Sequence, residues 1–155
     1  MKAEELLKRY EAGERDFSGV NLIGANLDGA QLQDINLRGA SLGAVSLRRV
    51  HLDRADLSDA FLFRADLSMA KLPGANLEGI DLTKANLTGA YLRKANLRWA
   101  KLSGAILTHV SFCQANLSGV NLCGANLQGI NLRLANLHNA NLSWANLSGA
   151  RLSGA

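Results

Sequence analysis

One apolar residue recurs at every fifth position from Phe17 to Leu152, a period that belongs to no ordinary element. Of these 28 positions 26 are leucine, and the other two are Phe17 and Phe112. Two residues before each stands a second column. It holds only Ala, Val or Ile from Val20 onward, and it begins Val20, Ala25, Ala30, Ile35. The frame runs without insertion or deletion. A helix repeats near 3.6 residues and a strand at 2, whereas these apolar residues fall alternately three and two apart.

The pattern predicts two inward residues in five, one large and one small, with three pointing out. A chain turning about 90° per pentapeptide closes a square coil every 20 residues, and coils stack at about 4.8 Å, the spacing of hydrogen-bonded strands. Twenty-eight repeats then make seven coils and a rod roughly 34 Å long. Five is the length of one side. Leucine-rich repeats need 20–29 residues and a longer consensus, which this chain lacks.

The pentapeptides ANLDG, ADLSD, ADLSM, ANLEG, ANLTG, ANLSG and ANLQG resemble the A(D/N)LXX motif of pentapeptide repeat proteins. The resemblance spans residues 16 to 155. It implies an all-β fold, a right-handed quadrilateral parallel β-helix, with the leucine and the small residue facing inward. LLKRYEAGERDFSGVNL looks like the amino-terminal cap of small cyanobacterial members.

The two ends differ. Ala3, Leu6, Leu7 and Tyr10 are spaced as an apolar helical stripe. Glu4 and Glu5 precede Lys8 and Arg9, which suits the helix dipole and i, i+4 pairing. A helix over 2–12 is expected, so that residues 1–15 cap a solenoid of residues 16–155 within a single domain. At RLSGA the repeats meet no second cap. End-to-end pairing of two copies as a homodimer, a chain cut from a longer one, and a frayed last coil are all open, and the homodimer is the preferred reading.

Charge divides the chain lengthwise. All thirteen acids lie between Glu4 and Asp81, whereas residues 82–155 carry seven bases and no acid. Sorted by 20-residue coils, the side of Leu32, Leu52, Leu72 and Leu92 gathers Arg54, Lys71, Arg93, Lys94, Arg133 and Arg151 against Asp34 and Asp53. The side of Leu57 and Leu77 carries Asp16, Asp56, Asp59 and Glu78 against Arg38 and Arg98. The basic side fits an anionic partner such as nucleic acid, and Tyr91 among Lys71, Arg93 and Lys94 could stack a base. It fits better a solvated face that keeps a leucine-rich rod dispersed.

Phe61 and Phe63 flank one inward leucine, so alternation points both outward as candidate anchors for a protein partner. Trp99 and Trp144 sit at turns and are candidate anchors too, Trp99 the one carried forward with Phe61 and Phe63. Gly124, one coil before Trp144, leaves room for that ring to lie flat. Asparagines preceding leucine, for example Asn76, Asn96, Asn116 and Asn136, are expected to bond in ladders along the stack.

Nothing converges as a catalytic site would. His51, His109 and His138 fall on three sides, and only His51 and Asp53 are placed to pair. Cys113 and Cys123 fit no metal spacing, lie on opposite sides and are expected to stay reduced. No metal or cofactor is expected, and no enzyme. No apolar run is long enough to span a membrane and no signal peptide is present, so the cytoplasm is the default compartment.

The functional expectation is a rigid protein-interaction or structural module. The family resemblance adds another reading, since some members imitate duplex DNA, bind DNA gyrase and confer quinolone resistance. Those members use acidic outer faces and a carboxyl-terminal helix, and this chain matches neither.

Overall fold

A repeat of five closes its circuit at twenty. The computed structural model describes residues 1–155, with a single helix, α1 (Ala3–Glu11). After it come 24 isolated parallel bridges, from Asp16–Asn36 to Asn131–Arg151, each joining a residue to the one twenty places on. Four turns fall within each circuit, and the rod therefore has four sides. We name them by their first inward residue: the Phe17, Leu22, Leu27 and Leu32 sides.

The repeat Asp56–Ala60 shows how the backbone is satisfied, as any buried amide must be. The first residue, Asp56, donates its N–H back to the carbonyl of Ile35 at 2.9 Å. Leu57 and Asp59 donate forward to Asn76 and Glu78, at 2.8 and 2.9 Å. Ala60 closes the turn onto the Leu57 carbonyl at 3.1 Å. That leaves the third residue, Ser58, whose N–H donates to the Asp56 carboxylate at 2.9 Å. Every Asn and Asp in the first position, seventeen in all, accepts the N–H two residues on in this way. This is the Asx turn, in which a short side-chain oxygen satisfies its own backbone.

The expected ladders are mostly replaced by that local bond. Five amides also reach across circuits, including Asn36 to Asp16 at 3.0 Å and Asn96 to Asn76 at 3.1 Å. In the series Asn76, Asn96, Asn116, Asn136 only that Asn96–Asn76 bond forms. The Oδ1 atom is already engaged with its own turn, and Nδ2 alone is left to reach along the stack.

Each turn has a positive φ at its fourth residue only, the mark of a type II turn. Glycine meets this demand in thirteen turns; in the other fifteen an L side chain is held near +58°, at roughly 1–2 kcal/mol each. Many of these side chains lean onto a glycine of the next circuit. A Cβ added at Gly89 would lie 2.5 Å from the Met69 sulfur, one at Gly119 2.3 Å from the Trp99 ring, and one at Gly129 2.5 Å from the His109 ring. Contact along each corner offsets part of the strain. Pro73–Gly74 is the ideal pair for this turn, with proline where φ is fixed negative and no N–H is required.

The core is one continuous cluster of 46 buried residues, drawn from the two apolar columns and Leu6. Burying each leucine contributes about 1.5–3 kcal/mol. At the amino-terminal end α1 lays the fully buried Leu6 over the first circuit. The Tyr10 hydroxyl donates to the Gln33 carbonyl at 2.8 Å and the Met1 ammonium to the Asn21 carbonyl at 3.1 Å. Carbonyls that would otherwise form an open sheet edge are thus given donors. Glu4 and Glu5 sit in the first helical turn, and Gly13 follows with φ 100°. The helix is shorter than the expected 2–12 by a residue at each end, where helix termini fray.

Candidate interaction faces

The seven residues marked out by sequence occupy three sides. Phe61 and Phe63 project from the Leu22 side, 57% and 43% exposed. Lys71, Tyr91, Arg93 and Lys94 lie on the Leu32 side, where a bridge joins Lys71 to Tyr91. Trp99 stands at a corner of the Phe17 side, its ring laid on Gly119. The structure thus groups the basic residues with Tyr91 and keeps them apart from both phenylalanines and from Trp99.

Trp144 does not lie on Gly124. Nothing comes within 4 Å of a Cβ built there, and Trp144 is 92% exposed. The direction of lean explains this, because fourth-position side chains cover the circuit that follows them, as Trp99 covers Gly119. The proposed His51–Asp53 pair is also absent: no hydrogen bond or ion pair joins them, and Asp53 Oδ2 is shielded without a partner.

Charges on the amino-terminal circuits are largely engaged. Arg54 holds Asp34 through two bonds of 2.8 and 2.7 Å, which keeps that carboxyl below its ordinary range. Asp28 is lowered first by the Ser46 hydroxyl and then by Arg48. On the Phe17 side Asp59 meets Arg38 at 3.6 Å, and Glu78 accepts from the Asn96 amide at 3.1 Å. By contrast Lys71, Lys94, Arg64, Lys84 and Lys101 enter no ion pair.

Concavities are shallow. One of about 440 Å³ lies over Arg48, Arg49, Ser68 and Met69, and another of about 600 Å³ lies between α1 and the first circuit. No three His, Cys, Asp or Glu side chains approach closely enough to share a metal ion. Cys113 and Cys123 are both free thiols. No helix is long and apolar enough to cross a membrane.

Eight copies of the family model "Pentapeptide repeats" match between residues 16 and 154. The chain belongs to the pentapeptide repeat family. Members of this family are in general structural or binding modules, and their architecture implies a right-handed quadrilateral β-helix here. No curated protein matches this pentapeptide repeat protein. Among solved structures, a trypsin-treated variant of QnrB1, a plasmid-mediated fluoroquinolone resistance protein, has a TM-score of 0.59 at 23% identity over 87% of this chain and 68% of its own. That likeness is one of fold. Alr5209 from Nostoc PCC 7120 is 37% identical over 72% of this chain and 81% of its own, with a TM-score of 0.38. HetL, involved in heterocyst differentiation regulation in Nostoc sp. strain PCC 7120, is 29% identical over 100% and 99%, with a TM-score of 0.31.

Sequence reasoning passed over three residues beside Phe61 and Phe63, namely Ile23, Gly43 and Arg64. The signal was the order Gly43–Ala44. Of the 28 turns this one alone has glycine third and alanine fourth, the reverse of what the backbone asks.

Proposed function

We propose that this pentapeptide repeat protein is a non-catalytic, rigid module that binds another protein through its outer sides. The cap at residues 1–15 and the solenoid at 16–155 act in it as one domain of seven coils. The observation that carries the reading is the exposure of Phe61 and Phe63 on a surface whose apolar demand is already met by a 46-residue core. A preformed solenoid orders little on binding, which favours broad contacts. The test is proximity labelling by a biotin-ligase fusion in the producing cell, followed by reconstitution of each enriched protein with the purified chain. At least one stable complex is expected. No protein enriched above the ligase alone defeats the reading.

A second reading, gyrase binding of the quinolone-resistance type, draws on the fold shared with QnrB1. Its acidic stripe is weak, because Asp59 is paired with Arg38, and Asp56 and Glu78 accept bonds from their neighbours. Supercoiling by gyrase is expected to continue unaltered across a titration of the protein. Inhibition at sub-micromolar concentration would instead favour gyrase as the partner.

A further inference from the structure

The Leu22 side carries a notch that the fold does not explain. Its floor is Gly43, and its walls are Ile23 one circuit before and Phe63 one circuit after, with Phe61 beside it. Ile23, Phe61 and Phe63 are 63%, 57% and 43% exposed. The backbones of the two walls, two circuits apart, stand roughly 10 Å from one another at strand spacing. Ile23 Cγ1 and the Phe63 carbonyl oxygen close in to 3.9 Å from where a Gly43 Cβ would stand, an opening for a single side chain.

Three observations define what fits it. The side bears Arg64, Lys84 and Lys101 against the single carboxylate of Asp81, and none of the three cations is in an ion pair. The Arg64 guanidinium carbon lies 5.1 Å from the Phe63 ring centroid, at the rim of the notch. The nearest acids around the corners are already engaged, Asp59 with Arg38 and Asp66 with the Ser68 N–H. Second, the turns at Ser41 and Phe61 have no Asn or Asp in first position. The N–H groups of Gly43 and Phe63 consequently donate to no acceptor, and the Ser41–Phe61 bridge sets them on adjacent circuits. Eighteen other turns fill that site with a side-chain oxygen, seventeen from their own first residue and the turn at Ser46 from Asp28.

Third, Gly43 is required by neither conformation nor packing. Its φ is not positive, while Ala44 beside it is held at 52°. A Cβ on Gly43 would meet Ile23 Cγ1 and the Phe63 carbonyl oxygen at 3.9 Å each, ordinary contact. A local rule broken without a structural gain marks a site shaped for something else.

We propose that this notch binds an acidic, extended segment of a partner protein, with one apolar side chain between Ile23 and Phe63. A carboxylate of that segment takes the N–H groups of Gly43 and Phe63, in the place of the missing Asx oxygen. Further acids meet Arg64, Lys84 and Lys101. This deepens, and rests on, the reading of the protein as a binding module.

The test is selection from a display library of random dodecapeptides on the full chain, then fluorescence anisotropy of the selected peptides. Selected sequences are expected to set Asp and Glu around one apolar residue. The double variant Gly43→Ala/Ala44→Gly fills the notch and relieves the turn. It is expected to melt higher than the parent yet bind roughly tenfold more weakly, as does Phe63→Ala. Basic consensus peptides, peptides indifferent to both variants, or displacement by a single-stranded oligonucleotide at equal charge would each overturn the proposal. Proximity labelling with the same double variant separates the two levels. Partners retained by the variant sink the notch and leave the module standing, whereas an absence of partners with the parent chain sinks the module.

Discussion

The Phe17 and Leu32 sides share one period and one core, and part most sharply in their first outer column. On the Phe17 side all seven first positions from Asp16 to Asn136 are Asn or Asp, and each closes its own turn. On the Leu32 side that column reads Gln31, His51, Lys71, Tyr91, Ser111, Asn131 and Arg151, and only Asn131 closes its turn. One side commits this position to the fold; the other releases it for charge and aromatic surface. The period decides what is buried, and the first position decides how much of the outside is free.

The largest effect should be blind to this difference. Leu97→Ala on the Phe17 side and Leu92→Ala on the Leu32 side should each cost about 2–5 kcal/mol in urea unfolding, because both leucines are fully buried. Unequal costs would mean that the core is not shared evenly. Next comes the outer column itself. Asn76→Ala with Asn96→Ala removes two turn bonds and three cross-circuit bonds, about 2–5 kcal/mol together. Lys71→Ala with Tyr91→Ala should stay within about 0.5 kcal/mol of the parent. Equal losses from the two pairs would end the comparison.

A smaller test runs in the opposite direction. Tyr91→Asn should supply an acceptor for the idle Arg93 N–H and stabilise by about 0.5–1 kcal/mol. Lys71→Asn should gain nothing, since Pro73 stands where that N–H would be. A gain in both would show that the Asx bond is not its source.

The smallest effect is local and runs along the rod. Glu14, Asp28 and Asp34 are held below the ordinary carboxylate range, Glu14 and Asp34 chiefly by bonds from Arg9 and Arg54, Asp28 chiefly by the Ser46 hydroxyl. A lowered carboxyl stabilises the fold above its unfolded value, and that contribution is lost as pH falls through the folded one. Between about pH 6 and pH 3, amide protection should therefore decline in residues 14–54. Residues 82–155, which have no acid, should keep theirs, and uniform loss along the chain would contradict this.

Much of this was legible beforehand, for identifiable reasons. The core needs only a period and a size alternation, and both are printed in the leucine and small-residue columns. The outward direction of Phe61 and Phe63 follows from the same alternation. Asn76 and Asn96 were visible as a column, but a column does not say whether an amide bonds within its turn or along the stack; that depends on which N–H the turn leaves idle. Trp144 and Gly124 were placed in one column correctly, yet the lean of the side chain comes from a left-handed turn residue, which the letters do not encode. Of the candidate site, sequence located the aromatic wall and missed the glycine floor, because the Gly43–Ala44 order stands out only once the turn is known to hold its fourth residue, and not its third, at positive φ.

The corner pairs set the unit by which such a chain can lengthen. Its interior would accept one extra pentapeptide anywhere, since leucine would still follow leucine. The corners would not. Five residues inserted between Trp99 and Gly119 would bring the ring against Gln114 and rotate every later pair by one side. Twenty would keep every residue on its own side, and the ring would need only a glycine at the turn that the insertion sets beneath it. The core counts in fives, but growth that keeps the surface in register has to come in whole turns of the rod.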